Sequence, residues 1–252
     1  MNIIQTFYDH LAPQYDKLFL DWQAATAEQA AILQTLFQGC GFDTSARILD
    51  CACGIGTQSI GLAALGYCVT ASDFSAGALA EAKARAAQNG VDIRFAQADF
   101  CALSDVFAER FDIVLAMDNA LPHMLTRDAL TAAVRSITDH LAPGGVFVAS
   151  IRDYDALLAE KPPYSPPYIH KTEAGQRVSF QTWDWEVDCY RLTQYIIDDD
   201  GETPQVSRFA CEYRATRRQE LTELLTAYGC STVKWKFPEE TGFYQPIVIA
   251  RK

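Results

Sequence analysis

A chain of 252 residues, 49% hydrophobic and 21% charged, is long enough for one full α/β domain with an insertion and has ordinary globular composition. Its formal net charge of −11 argues against nucleic acid as a partner, because that affinity comes largely from a basic face that neutralises phosphates. No apolar run reaches the roughly 18 residues of a membrane span, and the N-terminus shows no basic patch followed by an apolar core. Neither a membrane partner nor a secretory signal is expected, and the expected location is cytoplasmic.

The eight cysteines include no CxxC pair, the four histidines are scattered, and no HExxH occurs, so no metal is expected. In a reducing compartment the cysteines read as small buried hydrophobes.

In chain order, residues 21–38 carry apolar positions at helical spacing with Asp21 as N-cap. The short run ARILDCA (46–52) suits a buried parallel strand, and Gly54 to Gly66 turns into an alanine-leucine helix. There follow strand 67–73, helix 76–89, strand 92–99, strand 111–118, helix 127–142, the turn Pro143-Gly144-Gly145 and strand 146–152. This alternation predicts a parallel sheet with helices on both faces.

The character then changes. KPPYSPPY (161–168) predicts an extended loop, and three alternating aromatic-rich runs follow at 177–187, 190–198 and 205–215. The acidic turn DDDGE (198–202) joins the last two. A helix over 216–229 and strands at 232–238 and 245–252 close the chain. We read residues 1–252 as one domain, with 1–45 as a helical cap and 161–215 as an antiparallel β insertion over the active site.

The sharpest motif is Asp50-Cys-Ala-Cys-Gly54-Ile-Gly56, between a predicted strand and a predicted helix. Glycines there let the backbone approach a ligand closely. Asp73 ends the next strand, 19 positions after Gly54, where it can accept hydrogen bonds from both ribose hydroxyls of an adenosine. A dinucleotide would call for GxGxxG, and the third glycine is missing. Asp50 would sit poorly beside a diphosphate and well beside the amino group of a methionine moiety. S-adenosylmethionine is therefore the favoured cofactor, ahead of a dinucleotide-dependent oxidoreductase.

These residues resemble the class I S-adenosylmethionine-dependent methyltransferases. DCACGIG looks like their motif I, Ala98-Asp99-Phe100 like their adenine-pocket motif, and LAPGGVFV (141–148) like the turn before their fifth strand. The resemblance implies a Rossmann-like α/β fold: a seven-stranded, mostly parallel sheet with an antiparallel last strand. It also implies cofactor contacts at Asp50, Ala52, Gly54, Gly56, Asp73, Phe74, Asp99, Phe100 and Met117.

A closer resemblance is to the glycine and sarcosine N-methyltransferase group, through AMDNALPHML (116–125), SIRDYD (150–155), the opening YDxLAxxYDxxFxDW (8–22) and the closing ETGFYQPIVIARK (240–252). It implies methylation of a small metabolite, most simply glycine, sarcosine or a similar carboxylate-bearing amine. Arg152 would clasp the substrate carboxylate; Asn119, Tyr15, Tyr168, Tyr213 and Tyr244 would line the substrate site. The arginines that the animal glycine enzymes carry after the N-terminal aromatic segment are missing here, so either Trp22 and backbone donors serve the methionine carboxylate or this chain differs in that region.

A guanidinium fork at a strand's carboxyl end fits a carboxylate bidentately, although Arg152 has Asp153 and Asp155 close by as surface partners. No residue is assigned as catalytic, and His123 is not taken as a base. Methylation of another carboxylate metabolite at oxygen or carbon, or binding of the cofactor without catalysis, remain the competing readings. Many relatives assemble, so a homo-oligomer stays open.

Overall fold

The computed structural model describes residues 3–173 and 175–252. The chain opens with α1 (Ile3–Leu11), a 3-10 turn (Ala12–Leu18) and α2 (Trp22–Gly39). It continues through β1 (Arg47–Asp50), α3 (Thr57–Ala64), β2 (Cys68–Asp73), α4 (Ala76–Gln88), β3 (Arg94–Gln97), β4 (Phe111–Ala116), α5 (Arg127–Asp139) and β5 (Leu141–Ser150). Then come α6 (Tyr154–Glu160), β6 (Tyr168–Thr172), β7 (Gly175–Trp185), β8 (Cys189–Asp199) and β9 (Gln205–Arg214). The chain ends with α7 (Arg218–Ala227), β10 (Thr232–Lys236), α8 (Pro238–Thr241) and β11 (Ile247–Arg251).

The main sheet has the order β10-β11-β5-β4-β1-β2-β3. Strands β1 to β5 are parallel, and β11 runs antiparallel to both β5 and β10. This is the Rossmann-like, seven-stranded sheet with an antiparallel last strand that the sequence predicts. From β1 the chain builds outward through β2 and β3, then returns to build β4 and β5 on the other side. That reversal leaves a crevice at the carboxyl ends of β1 and β4, the usual ligand position in open α/β sheets.

The strands are apolar because helices cover both faces. Ile48 and Ile113 pack with Leu33 and Phe37 of α2, Ile60 of α3 and Leu79 of α4. Leu49, Val114 and Phe147 pack with Leu130, Val134 and Ile137 of α5 and with Leu221 and Leu225 of α7. The caps are as the sequence predicts for α2, where Asp21 accepts from the Ala24 amide at 3.0 Å. Ser75 and Thr126 cap α4 and α5 in the same way.

The second sheet, β6-β7-β8-β9, is wholly antiparallel and follows the fifth strand. A third core cluster lies against it, where Phe7 and Leu11 of α1 meet Tyr154, Tyr190, Leu192, Ile196 and Tyr213. The N-terminal segment is tied to both halves. Asp9 accepts from Ser75 Oγ and the Gly77 amide at 2.5 and 2.9 Å, and Lys17 pairs with Asp198 of β8 at 2.7 Å.

Three expectations shift. The helix expected over 127–142 stops at Asp139. Leu141 already pairs with Phe111, so Pro143 to Gly145 form an irregular entry to β5 rather than a free turn. The loop expected over 161–168 gives way at its last residue to the short edge strand β6, which pairs with β7 over 168–172, and α6 is an additional helix capped by Asp153. Among the described residues no helix is long and apolar enough to cross a membrane.

Candidate active site

The loop after β1 forms the floor of the first cavity. Gly54 has φ 54° and Gly56 φ 91°, left-handed values that strain any L side chain. No atom lies within 4 Å of where a Gly54 Cβ would stand, whereas a Gly56 Cβ would stand 2.9 Å from Ile60 Cδ1. Gly54 thus opens the cavity, and Gly56 lets α3 start close beneath it. Asp73 ends β2 at the wall of the cavity, with Oδ2 accepting from the Gly54 amide at 2.8 Å and Oδ1 from the Ser75 amide at 2.9 Å. Burial pushes its carboxyl up from the usual range, and these amides oppose that push.

The first cavity encloses about 880 Å³, its open mouth included, and is lined by Ala52, Gly54, Asp73, Phe74, Asp99, Phe100 and Met117 among others. A glycine gap, a carboxylate at the strand end and apolar side chains alongside fit an adenosine-bearing ligand. Asp99 also accepts from the Cys101 amide at 2.8 Å, so it closes its own turn while facing the cavity.

Three residues expected at the cofactor lie elsewhere. Gly56 is beneath the floor, as above. Trp22 donates from Nε1 to Thr57 Oγ1 at 3.0 Å, with the Arg85 guanidinium 4.7 Å over its ring; Thr57 lines the cavity and Trp22 stands behind it. Asp50 is completely buried and accepts from Ser59 Oγ at 2.6 Å, so its carboxylate braces α3 instead of reaching the cavity.

Burial pushes the Asp50 carboxyl up to about 7, with the Ser59 hydroxyl and the Ala52 amide opposing it. The unfolded value is about 3.9, so between those values the folded protein holds more protons than the unfolded chain. The stability Asp50 contributes is then fully present below about pH 4 and lost as pH rises through 7. Thermal melts of the ligand-free protein should show a decline from pH 5 to pH 8 that is shallower in Asp50→Asn. Parallel declines would refute the buried-acid assignment.

A second, larger cavity lies between the N-terminal segment, the antiparallel sheet and the loop before β11, and it shares Tyr8, Tyr15 and Asp118 with the first. Arg152, Asn119, Tyr168, Tyr213 and Tyr244 all line it. Tyr15 therefore stands where the two meet. Tyr213 is buried and stacks on Tyr190 with centroids 5.5 Å apart, while Tyr168 and Tyr244 are more than half exposed at the rim.

Asp118 and Asn119 both adopt left-handed backbone angles, φ 54° and 68°, which non-glycine residues hold only when the surroundings fix them. Here the Asp118 amide donates to Ser150 Oγ and the Asn119 amide to the Ser150 carbonyl. The Asp118 carboxylate takes Gln58 Nε2 and Tyr244 Oη, each at 2.8 Å. Asn119 Oδ1 accepts the Arg152 amide at 3.0 Å, so the loops after β4 and β5 are bound together.

The Arg152 guanidinium donates to Tyr190 Oη at 2.6 Å and to Gln181 Oε1 at 2.9 Å, and lies 5.0 Å from the Trp183 ring. Asp153 and Asp155 are taken by Arg218. Among the described residues no carboxylate pairs with Arg152, so the alternative of a surface pair with Asp153 or Asp155 does not hold.

His123 lines the first cavity with Nε2 2.8 Å from Tyr8 Oη and its ring 4.1 Å from that of Tyr213. Burial pushes its pKa down to about 3, which keeps the imidazole neutral. Tyr8, Asp118, Gln58, Gln181 and Tyr190 are parts of the site that the sequence reading did not single out. Tyr8 and Asp118 stood inside motifs already quoted, whereas the two glutamines carried no local signal.

Residues 48–145 match a family model described as a methyltransferase domain. Over 215 residues the chain is 28% identical to a glycine/sarcosine N-methyltransferase of Halorhodospira halochloris, covering 85% of this chain and 76% of that protein. It is 36% identical over 106 residues to a ubiquinone biosynthesis O-methyltransferase of Brucella anthropi, covering 42% and 41%. In fold it is similar to an S-adenosylmethionine-dependent methyltransferase from Clostridium acetobutylicum, with TM-score 0.74 and 19% identity over 97% of each chain. The matched segment 48–145 contains the glycine turn, Asp73, Asp99 and the β4 loop that build the first cavity. The chain carries a methyltransferase domain on an S-adenosylmethionine-dependent methyltransferase fold and resembles the glycine/sarcosine N-methyltransferases.

Proposed function

We propose that this methyltransferase methylates the nitrogen of glycine, sarcosine or a similar small amine bearing a carboxylate. The observation that carries this reading is Arg152, a guanidinium at the carboxyl end of β5 whose partners are all neutral. A cation withdrawn from bulk water without a counter-charge is costly, and an anionic group on the acceptor would supply one. The relative from Halorhodospira, whose name specifies glycine and sarcosine, supports the same class. The match to the O-methyltransferase spans 106 residues, 42% of this chain against 85% for the Halorhodospira relative, so it bears on less of the two cavities together.

On this reading Asp73 accepts the ribose hydroxyls, Asp99 and Phe100 meet the adenine, and Phe74 and Met117 flank it. Ala52 and Gly54 offer backbone at the sugar and methionine end. The cofactor supplies an electrophilic methyl group, and the protein's task is alignment and exclusion of water. Tyr8 and Tyr15, lining both cavities, cover the junction where the acceptor nitrogen meets the methyl. Arg152 holds the far end of the acceptor, with Asn119 fixing the Arg152 backbone.

An amine attacks only when neutral. His123, held neutral at physiological pH, serves as a fixed partner of Tyr8 instead of a proton store. At saturating cofactor, turnover should rise with pH toward the acceptor's own amine pKa without a break between pH 6 and 7. A break there that disappears in His123→Asn would reinstate the histidine as a base.

Methylation at oxygen or carbon of another carboxylate metabolite would use Arg152 equally. The test is methyl-labelled S-adenosylmethionine with glycine, sarcosine, dimethylglycine and a metabolite extract, the products read by mass spectrometry. Label on the nitrogen of glycine or sarcosine is the expected result. Label confined to an oxygen or carbon of another compound would overturn the amine assignment.

A further inference from the structure

The side chains beneath Arg152 form a directed chain. Gln181 of β7 and Gln194 of β8 stand opposite one another in the ladder. Gln194, 4% exposed, donates from Nε2 to two carbonyls, Phe180 at 3.1 Å and Tyr195 at 2.9 Å. Carbonyls only accept, so the Gln194 amide can sit one way, with Oε1 toward Gln181. Gln181 Nε2 donates to that oxygen at 2.9 Å, which fixes the Gln181 amide in turn. Its own Oε1 then faces up and accepts both Arg152 Nη2 at 2.9 Å and Trp183 Nε1 at 3.0 Å. The Gln181 backbone is pinned as well, its amide donating to Ser165 Oγ and its carbonyl accepting the Ser165 amide, both at 2.9 Å.

A carboxylate at position 181 would hold the guanidinium more strongly, since attraction between opposite charges adds to the hydrogen bond. It would also neutralise it. A neutral amide acceptor orients the fork and leaves its charge unspent. We propose that Gln181, oriented by Gln194, is a specificity-determining positioning residue that keeps Arg152 both fixed and uncompensated for an anionic acceptor group. This rests on the carboxylate reading of Arg152 given above.

The test uses the full chain with sarcosine, its analogue sarcosinamide, which lacks the carboxylate, and three variants: Gln181→Glu, Gln181→Met and Arg152→Ala. Gln181→Glu should raise KM for sarcosine at least about tenfold with kcat within about threefold, and should leave KM for sarcosinamide unchanged or lower. Gln181→Met, which loosens the fork without neutralising it, should have a clearly smaller effect. Because Gln181→Glu also sets a carboxylate oxygen against Gln194 Oε1, S-adenosylhomocysteine affinity within about threefold of wild type, with a single cooperative melt, separates the loss from misfolding.

A readout independent of turnover is acetate titrated into the protein with S-adenosylhomocysteine bound, following tryptophan fluorescence, because Trp183 touches both Gln181 and Arg152. Wild type should respond, and Gln181→Glu should not. The proposal is overturned if Gln181→Glu binds sarcosine and acetate like wild type while Arg152→Ala does not; the carboxylate reading would then survive alone. Equal effects of Glu and Met, or on sarcosine and sarcosinamide, would also overturn it. If Arg152→Ala itself changes neither sarcosine nor acetate binding, the carboxylate reading fails and the proposal falls with it.

Discussion

Arg152→Ala is expected to raise KM for glycine or sarcosine by at least about thirtyfold while leaving the affinity for S-adenosylhomocysteine within about threefold. Truncating one partner of a buried, hydrogen-bonded charge pair costs roughly 2 kcal/mol or more. Arg152 lines the second cavity and not the first, so the cofactor should not register the change directly. Arg152→Lys should recover little. A lysine ammonium is a single point, and it cannot hold Tyr190 and Gln181 while presenting a planar fork to a carboxylate.

The ligand-free protein offers the complementary observation. Arg152 sits among Trp183, Tyr190 and Tyr213 without a counter-ion, which is an arrangement that function favours and stability does not. Arg152→Met, apolar and of similar length, should therefore keep or raise the melting temperature while abolishing carboxylate selectivity. Kinetics with glycine against glycinamide, together with thermal melts, decide the matter. A large loss of stability with unchanged selectivity would make Arg152 a structural residue and remove the basis for the substrate assignment.

What could be read in the sequence was what is encoded locally. The glycines at 54 and 56, the acid closing the second strand and the arginine just past the fifth each carry meaning from their place in one strand-turn-helix unit. The seven-stranded order follows from the alternation of short apolar runs with amphipathic helices.

Asp50 shows where local information stops. Its position in the motif is plain, but which way the last residue of β1 points depends on Ser59 of α3 packing beneath it. Trp22 is similar, because its indole is committed to Thr57, 35 positions away. The Tyr8–His123 bond joins residues 115 apart and Tyr244–Asp118 joins residues 126 apart, and neither pairing has a sequence period to betray it. Gln181 and Gln194 are a cross-strand pair whose register is set by the turn at 186–188, and glutamine in a strand announces nothing until the arginine above it is placed.

Asp73 carries the second large effect, and its two oxygens allow a sharper test than removal alone. Asp73→Ala should weaken S-adenosylhomocysteine binding by about a hundredfold or more, since hydrogen bonds to a charged group contribute roughly 1.5–3 kcal/mol each. Asp73→Asn keeps the shape and would be expected to do better if shape were what mattered. Yet each Asp73 oxygen already accepts a backbone amide, Gly54 on one and Ser75 on the other. An asparagine must turn its NH2 toward one of those N–H groups, and donor against donor is a bond lost with a desolvation cost added. Whichever way it turns, either the glycine turn after β1 or the start of α4 is released, and one ribose acceptor is gone. Asp73→Asn should therefore approach Asp73→Ala in calorimetric affinity, with sarcosine KM at saturating cofactor little changed in either. Asparagine binding S-adenosylhomocysteine as wild type does would show that the carboxylate is not the ribose acceptor, and that the Gly54 turn holds its left-handed shape without it.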